Sequence, residues 1–265
     1  MEIIDLSRFV DAVRDLVERW ILPDADWYPS PWFRGHGDAG WSLEPGWYRL
    51  PPPGEGVGAG WYNERTLLTE FKLRAPHYLQ TLPSLMAPPS NDWEWLFLMQ
   101  HYGLPTRLLD WTESALIGLY FALRDNREDC DAAVWVLNPW WLNKQSLGEY
   151  ELPPAGDPRI ADWAPLDEGK ALKGHLPVAV KPVHASPRIS AQKGFFTIHG
   201  TERGALDKLA HSRADNGPGL RKLTIPRERV SEIRRDLAIA GITETSVFQE
   251  LDGLSREIKA GFFGS

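Results

Sequence analysis

Apolar positions recur along this chain with two periods, one of three to four residues and one of two. Over residues 5–20, Leu6, Phe9, Val10, Val13, Leu16, Val17 and Trp20 fall at three- and four-residue steps, which predicts one amphipathic helix. Pro23 stops it. Residues 27–48 are aromatic and broken by Gly and Pro. They predict a short strand ending at Phe33–Arg34, a turn over Gly35–Gly40 and another short strand. PPPGEGVGAG (51–60) is a loop, and residues 63–81 follow a helical pattern despite Pro76. Asn91 with Glu94 three residues on marks a helix start, and that helix runs through Trp95 to Gln100 before Gly103 and Pro105. TRLLDW (106–111) is extended. Thr112 is placed to cap a helix TESALIGLYFALRD, in which Ala115, Leu116, Leu119, Tyr120 and Leu123 share a face.

The second half starts with DAAVWVLNP (131–139), a buried strand ended by proline. Residues 140–177 show weak periodicity and predict an irregular excursion. PVAVKPV (177–183) and RISAQKGFFTIHG (188–200) read as strands joined at Ser186–Pro187. A helix near 203–211, a strand at 220–225, a helix over 227–240 capped by Gly241 and a short helix over 252–260 complete the chain. Helices and strands mix without strict alternation, and neither a repeat nor a linker stands out. The expectation is a single α+β domain over 1–265. Its parts are an N-terminal helix (1–26), a motif-bearing core (27–139), an irregular insertion (140–177) and C-terminal strands and helices (178–265).

Composition narrows the function classes. With 265 residues, 43% hydrophobic and 25% charged, the chain buries a core without a disulfide or metal staple. No apolar run approaches about 18 residues, so no membrane partner is expected. The amphipathic, acid-bearing N-terminus is unlike a signal or transit peptide. The lone Cys130 excludes an intrachain disulfide and a cysteine zinc site, and a cytoplasmic location is expected. A balance of 29 basic to 36 acidic residues argues against a wide nucleic-acid footprint. Thirteen tryptophans are unusual, and twelve lie within residues 1–141. Most are expected in the core, with Trp32, Trp41 and Trp111 as candidate walls for a flat ligand.

Three clusters could carry chemistry. Arg34 in WFRGHG offers a fixed guanidinium fork for phosphate or carboxylate, and the flanking glycines would let a ligand near the backbone. A structural ion pair at a strand end is the plainer alternative. His36 beside it is a hydrogen-bonding candidate. The second cluster, QHYGLPTRLLDWTES, gathers Gln100, His101, Tyr102, Thr106, Arg107, Asp110 and Thr112 where a polar strand leads into an apolar helix. Arg107 and Asp110 could instead pair with each other. The third, AQKGFFTIHG, interrupts a strand with Gln192 and Gly194, through a bulge or a close approach. There is no P-loop, no GxGxxG, no HExxH and no GxSxG elbow. The seven histidines show no metal-ligand spacing, so no metal is expected.

These clusters, in this order, resemble the FRG domain family, named for a Phe-Arg-Gly motif that here is Phe33-Arg34-Gly35. The resemblance continues through LMQHYGLPTRLLDWTESALIGLYFAL (98–123), DAAVWVLNP, PRISAQKGFFTIHG (187–200) and LRKLTIP…GITETSVFQELDGLSREI. It extends more distantly to the ADP-ribosyltransferases, whose arginine–serine–glutamate branch anchors a nicotinamide dinucleotide on a Tyr-Arg-Gly strand. Beside that pattern, Arg34-Gly35 corresponds to the first element and Thr106 to Thr112 to the second. Gln192-Lys193-Gly194 stands where the catalytic Glu-x-Glu would fall. The carboxylate is therefore replaced, and a neutral amide lacks the charge that steadies an oxocarbenium-like transition state. Either another acid serves, with Asp110 and Glu250 the candidates, or the reaction differs, or the site binds without turnover.

The resemblance implies an ADP-ribosyltransferase-like split sheet, mixed or antiparallel, flanked by helices. It also implies a nucleotide pocket taking NAD as substrate, with a protein or nucleic-acid acceptor. The predicted catalytic set is Asp110, Gln192 and His36. The predicted binding set is Arg34, Gly35, Gln100, His101, Thr106, Arg107, Trp111, Thr112 and Gly194. Transfer or NAD hydrolysis in a bacterial toxin or phage-defence effector is the leading expectation. A non-catalytic nucleotide or nucleic-acid sensor comes second and a phosphodiester enzyme third.

Overall fold

The computed structural model describes residues 1–21, 30–50, 64–79, 89–127, 129–164, 172–182, 194–211, 219–248 and 251–263. One six-stranded sheet organises them, in the order β4-β5-β2-β1-β3-β6, and every ladder in it is antiparallel. The strands are β1 (Trp32–His36), β2 (Leu108–Thr112), β3 (Ala132–Leu137), β4 (Val178–Val180), β5 (Gly194–Ile198) and β6 (Leu220–Ile225). The helices are α1 (Leu6–Trp20), α2 (Glu64–Leu79), α3 (Asp92–His101), α4 (Ala115–Arg124) and α5 (Pro139–Leu147). α6 (Leu206–His211), α7 (Arg227–Ile239), α8 (Glu244–Val247) and α9 (Leu251–Phe263) follow. The α+β expectation holds, and the open choice between a mixed and an antiparallel sheet resolves to antiparallel.

The period-two alternation sorts the strands onto two faces. On one face Phe33, Val134, Val136, Leu223 and Ile225 pack under α1, α4 and α7. Further along that face, Leu108, Val178, Phe196 and Ile198 pack under α3 and a 3-10 helix, Pro158–Trp163. The opposite face carries Trp32, Leu109, Trp111, Trp135 and Phe195, covered by α5 and α6 through Trp141, Leu142 and Leu206. Each such side chain removed from water contributes about 1.5–3 kcal/mol.

Helix α4 sits unusually close to β1. A Cβ on Gly35 would lie 2.2 Å from the Ala122 nitrogen and 2.3 Å from the Gly118 oxygen. One on Gly118 would lie 2.6 Å from the Phe33 Cβ. Gly35 thus serves helix–strand packing, a demand on this glycine that the sequence did not reveal.

Local signals act as expected at several ends. Asp5 caps α1, and Asn91 caps α3 by accepting from the Glu94 nitrogen. Gly241 adopts φ +81° just past α7, a conformation glycine reaches without a Cβ penalty. Four expectations need correction. Ser114 caps α4 by accepting from the Ile117 nitrogen, while Thr112 accepts from the Ser114 nitrogen one step earlier. β1 runs on through His36, and residues 41–50 hold no second strand, with a turn over 46–49. Val10 is 41% exposed, off the buried stripe of Phe9, Ala12 and Leu16. The expected irregular excursion holds α5, which Asn138 caps and Gly148 ends.

Candidate functional site

The sheet parts between its two motif strands. β1 and β2 meet in register at Phe33↔Thr112 alone, while β1 follows β3 from Trp32↔Leu137 to His36↔Ala133. Arg34 fills the divergence. Its Nη1 donates to the Asp110 carbonyl at 2.8 Å, where a neighbouring strand would otherwise place an N–H. The same nitrogen lies 3.5 Å from Asp110 Oδ2. Its Nε donates to His36 Nε2 at 3.3 Å. Nη2 donates to none of the described residues, so part of the fork stays available.

A polar relay holds Asp110 in place. Gln100 Nε2 donates to Asp110 Oδ2 at 2.6 Å, and Gln100 Oε1 accepts from Thr106 Oγ1 at 2.6 Å. Thr106 Oγ1 in turn accepts from the Leu108 nitrogen at 3.1 Å. Strand β2 thus aims its one exposed residue, Asp110, at the end of α3. The two sequence clusters meet here through Arg34, Asp110 and Gln100.

The charge state follows from the surroundings. Burial pulls the Arg34 pKa below its ordinary value, Asp110 opposes that shift, and the nearby Arg49 guanidinium adds to it. Arg34 stays charged all the same. Burial, with Arg34 next, depresses His36 to about 3. A neutral imidazole with Nε2 accepting from Arg34 is the consistent assignment.

Two cavities flank Arg34. The first, about 280 Å³, lies between α3 and α4 on the sheet face that carries Asp110. Phe97, Phe121 and Phe196 contribute aromatic walls, and Arg34, Gln100, Asp110 and Asp125 polar ones. Gly35, His101, Trp111, Thr112 and Gly194 also border it. The second, about 440 Å³, is bounded by Arg34, Gln100, Arg49, Gly46 and the 103–105 turn.

The remaining predicted residues fall elsewhere. Arg107 is 3% exposed and points away from both cavities. Its Nε donates to Glu64 Oε2 at 2.6 Å, its Nη1 to the His199 carbonyl at 2.6 Å and its Nη2 to the Trp163 carbonyl at 3.0 Å. Its partner is therefore Glu64, and Asp110 pairs with Arg34. Thr106 and His36 are buried beside the site and border neither cavity. Gln192, Lys193 and Glu250 lie outside the described residues.

Two of the three expected tryptophan walls, Trp32 and Trp41, border neither cavity. Trp32 is fully buried and stacks on Phe195, with ring centroids 4.8 Å apart. Trp111 does border the aromatic cavity, while its indole is buried and donates to Thr197 Oγ1 at 3.1 Å. Trp41 sits edge-on to His36 and borders neither cavity. Phenylalanines take the wall positions. Phe97, Phe121 and Phe196 went unsingled because each sits in an apolar run that reads as core. Arg49 went unnoticed because an arginine after an aromatic turn carries no motif.

Among the described residues, no three His, Cys, Asp or Glu side chains group as a metal site, and no helix is long and apolar enough to cross a membrane. A strand-borne Phe-Arg-Gly and a polar strand–helix corner converge on one cleft. Residues 30–131, from just before β1 to the edge of β3, match the family model of the FRG domain, and the chain carries an FRG domain there. No curated protein and no solved structure matches the chain.

Proposed function

We propose that the cleft around Arg34 binds a small-molecule nucleotide, with NAD as the first candidate substrate. The observation that carries this reading is the seat of Arg34 in the parted sheet. The guanidinium is held by Asp110 and His36, keeps Nη2 uncommitted, and borders an aromatic cavity. A planar ring suits walls of Phe97, Phe121 and Phe196, and a phosphate suits the free part of the fork. Asp110, more than half exposed, is the carboxylate that would face positive charge developing at a ribosyl carbon. The chemistry that fits is ADP-ribosyl transfer or NAD hydrolysis.

The experiment is incubation with NAD, following nicotinamide release, beside direct titration of NAD binding. Release by the wild type, lost in Asp110→Asn while NAD still binds, supports an enzyme. Absence of NAD binding overturns the reading. One observation favours a second reading, binding without turnover: Asp110 already accepts from Gln100 and pairs with Arg34. NAD binding without nicotinamide release selects it.

A further inference from the structure

The two cavities beside Arg34 differ in chemistry. Asp110 and Asp125 border the aromatic one. No acidic side chain borders the other, which has two guanidinium groups, Arg34 and Arg49, and the Gln100 amide. Asp110 lies 3.5 Å from Arg34 on the far side and offsets part of its charge, whereas Arg49 forms no ion pair among the described residues, and its nearby guanidinium still works against the charge on Arg34. An anion placed there would relieve that repulsion and take charge-assisted bonds from both.

Arg49 is held in position by more than its own backbone. It closes a turn in which the nitrogens of Tyr48 and Arg49 both donate to the Pro45 carbonyl, at 3.0 and 3.3 Å. The Trp47 nitrogen donates to the Thr106 carbonyl at 3.0 Å, docking the turn against the segment that leads into β2. The Tyr48 hydroxyl donates to the Gly200 carbonyl, pinning the turn from its other side. The guanidinium lies over Gly46 and Pro105: a Cβ at position 46 would sit in ordinary contact with both, 3.8 Å from Nη2 and 3.4 Å from the Pro105 Cα.

We propose that the cavity between Arg34 and Arg49 is a diphosphate subsite, and that Arg49 makes the cleft select phosphorylated nucleotides over nucleosides. The inference rests on the nucleotide reading of the aromatic cavity and names its ligand class: a nucleoside diphosphate or a dinucleotide. The ring occupies the aromatic side, Arg34 stands at the junction, and the diphosphate extends to Arg49.

The test is calorimetric titration of ADP-ribose, adenosine and inorganic pyrophosphate into wild type, Arg49→Ala and Arg49→Glu. Arg49 is exposed, and matching melting curves establish that the variants fold. The expected result is about 10- to 100-fold weaker ADP-ribose binding in Arg49→Ala, more in Arg49→Glu, with adenosine unchanged. Pyrophosphate should compete with ADP-ribose in wild type and lose its own affinity in the variants. ADP-ribose binding unmoved by both substitutions overturns the subsite and leaves the nucleotide reading standing. Pyrophosphate binding that depends on Arg49, without binding of ADP-ribose or adenosine, keeps the anion site and overturns the nucleotide reading. No binding by any probe overturns both.

Discussion

Arg34 and Arg107 flank the same β2 strand, yet they occupy opposite kinds of environment. Arg107 is enclosed and fully committed to the Glu64 carboxylate and the carbonyls of His199 and Trp163. Arg34 is 21% exposed on its side chain, leans on a half-exposed Asp110 and a neutral His36, and keeps part of its fork free. A guanidinium whose donors are all spent on the protein holds structure together. One that is oriented but incompletely satisfied, at the mouth of a cavity, is prepared for a ligand. Partnering separates the two, and it does so where burial alone would draw attention to Arg107.

The largest expected effect breaks the enclosed side. Glu64→Ala leaves Arg107 charged, buried and unpaired, and chemical denaturation should show a loss of about 3–5 kcal/mol. An unchanged midpoint would mean that the two arginines do not differ in kind. Gly35→Ala attacks the platform under Arg34. Its Cβ meets backbone atoms of α4 that no side-chain rotation can clear, so a loss of about 3 kcal/mol is expected. Wild-type stability there would show that α4 can retreat from β1.

Acid treats the two sides alike through their histidines. His199, fully buried beside Arg107, is depressed to about 3 chiefly by burial, as is His36 beside Arg34. Both stay neutral when folded, whereas the unfolded chain binds these protons once pH falls below about 6.5. Their stabilisation is therefore present above that pH and is lost as pH drops toward 3. The slope approaches about 2.7 kcal/mol per pH unit for two protons. Urea melts between pH 7 and 5 should show it, and His199→Gln should roughly halve it. The smallest stability effect belongs to Arg34→Gln, about 1 kcal/mol, because solvent and the remaining polar groups partly replace its bonds. Loss of NAD binding at nearly unchanged stability would sharpen the contrast with Arg107. A loss comparable to Glu64→Ala would erase it.

Much of the fold was legible because local signals and tertiary packing agree. The strand at 220–225, the α1 stripe and the Asn91 cap each follow from periodicity or side-chain reach within a few residues. Helix α5 was not legible, since Trp140, Trp141 and Leu142 crowd one turn and leave no stripe along the rest. Within the site, Arg34, Gln100 and Asp110 could be singled out because polar residues stood in apolar surroundings. Arg107 stood out for the same reason and serves a different end, because its partner lies 43 residues away on α2. The phenylalanine walls gave no signal, since an apolar side chain beside a cavity and one inside a core look identical in sequence.

The contact between α4 and β1 also bears on how such chains can vary. Positions 35 and 118 lie on different elements, yet each excludes even a methyl group because of the other's surroundings. Each is thus a place where the alphabet shrinks to a single letter. Gly35 also sits beside Arg34, so the invariance that packing imposes would be read as the signature of a ligand. Tolerance scanning that spares 35 and 118 together, and lets Arg34 and Arg49 vary, would separate the two sources of constraint.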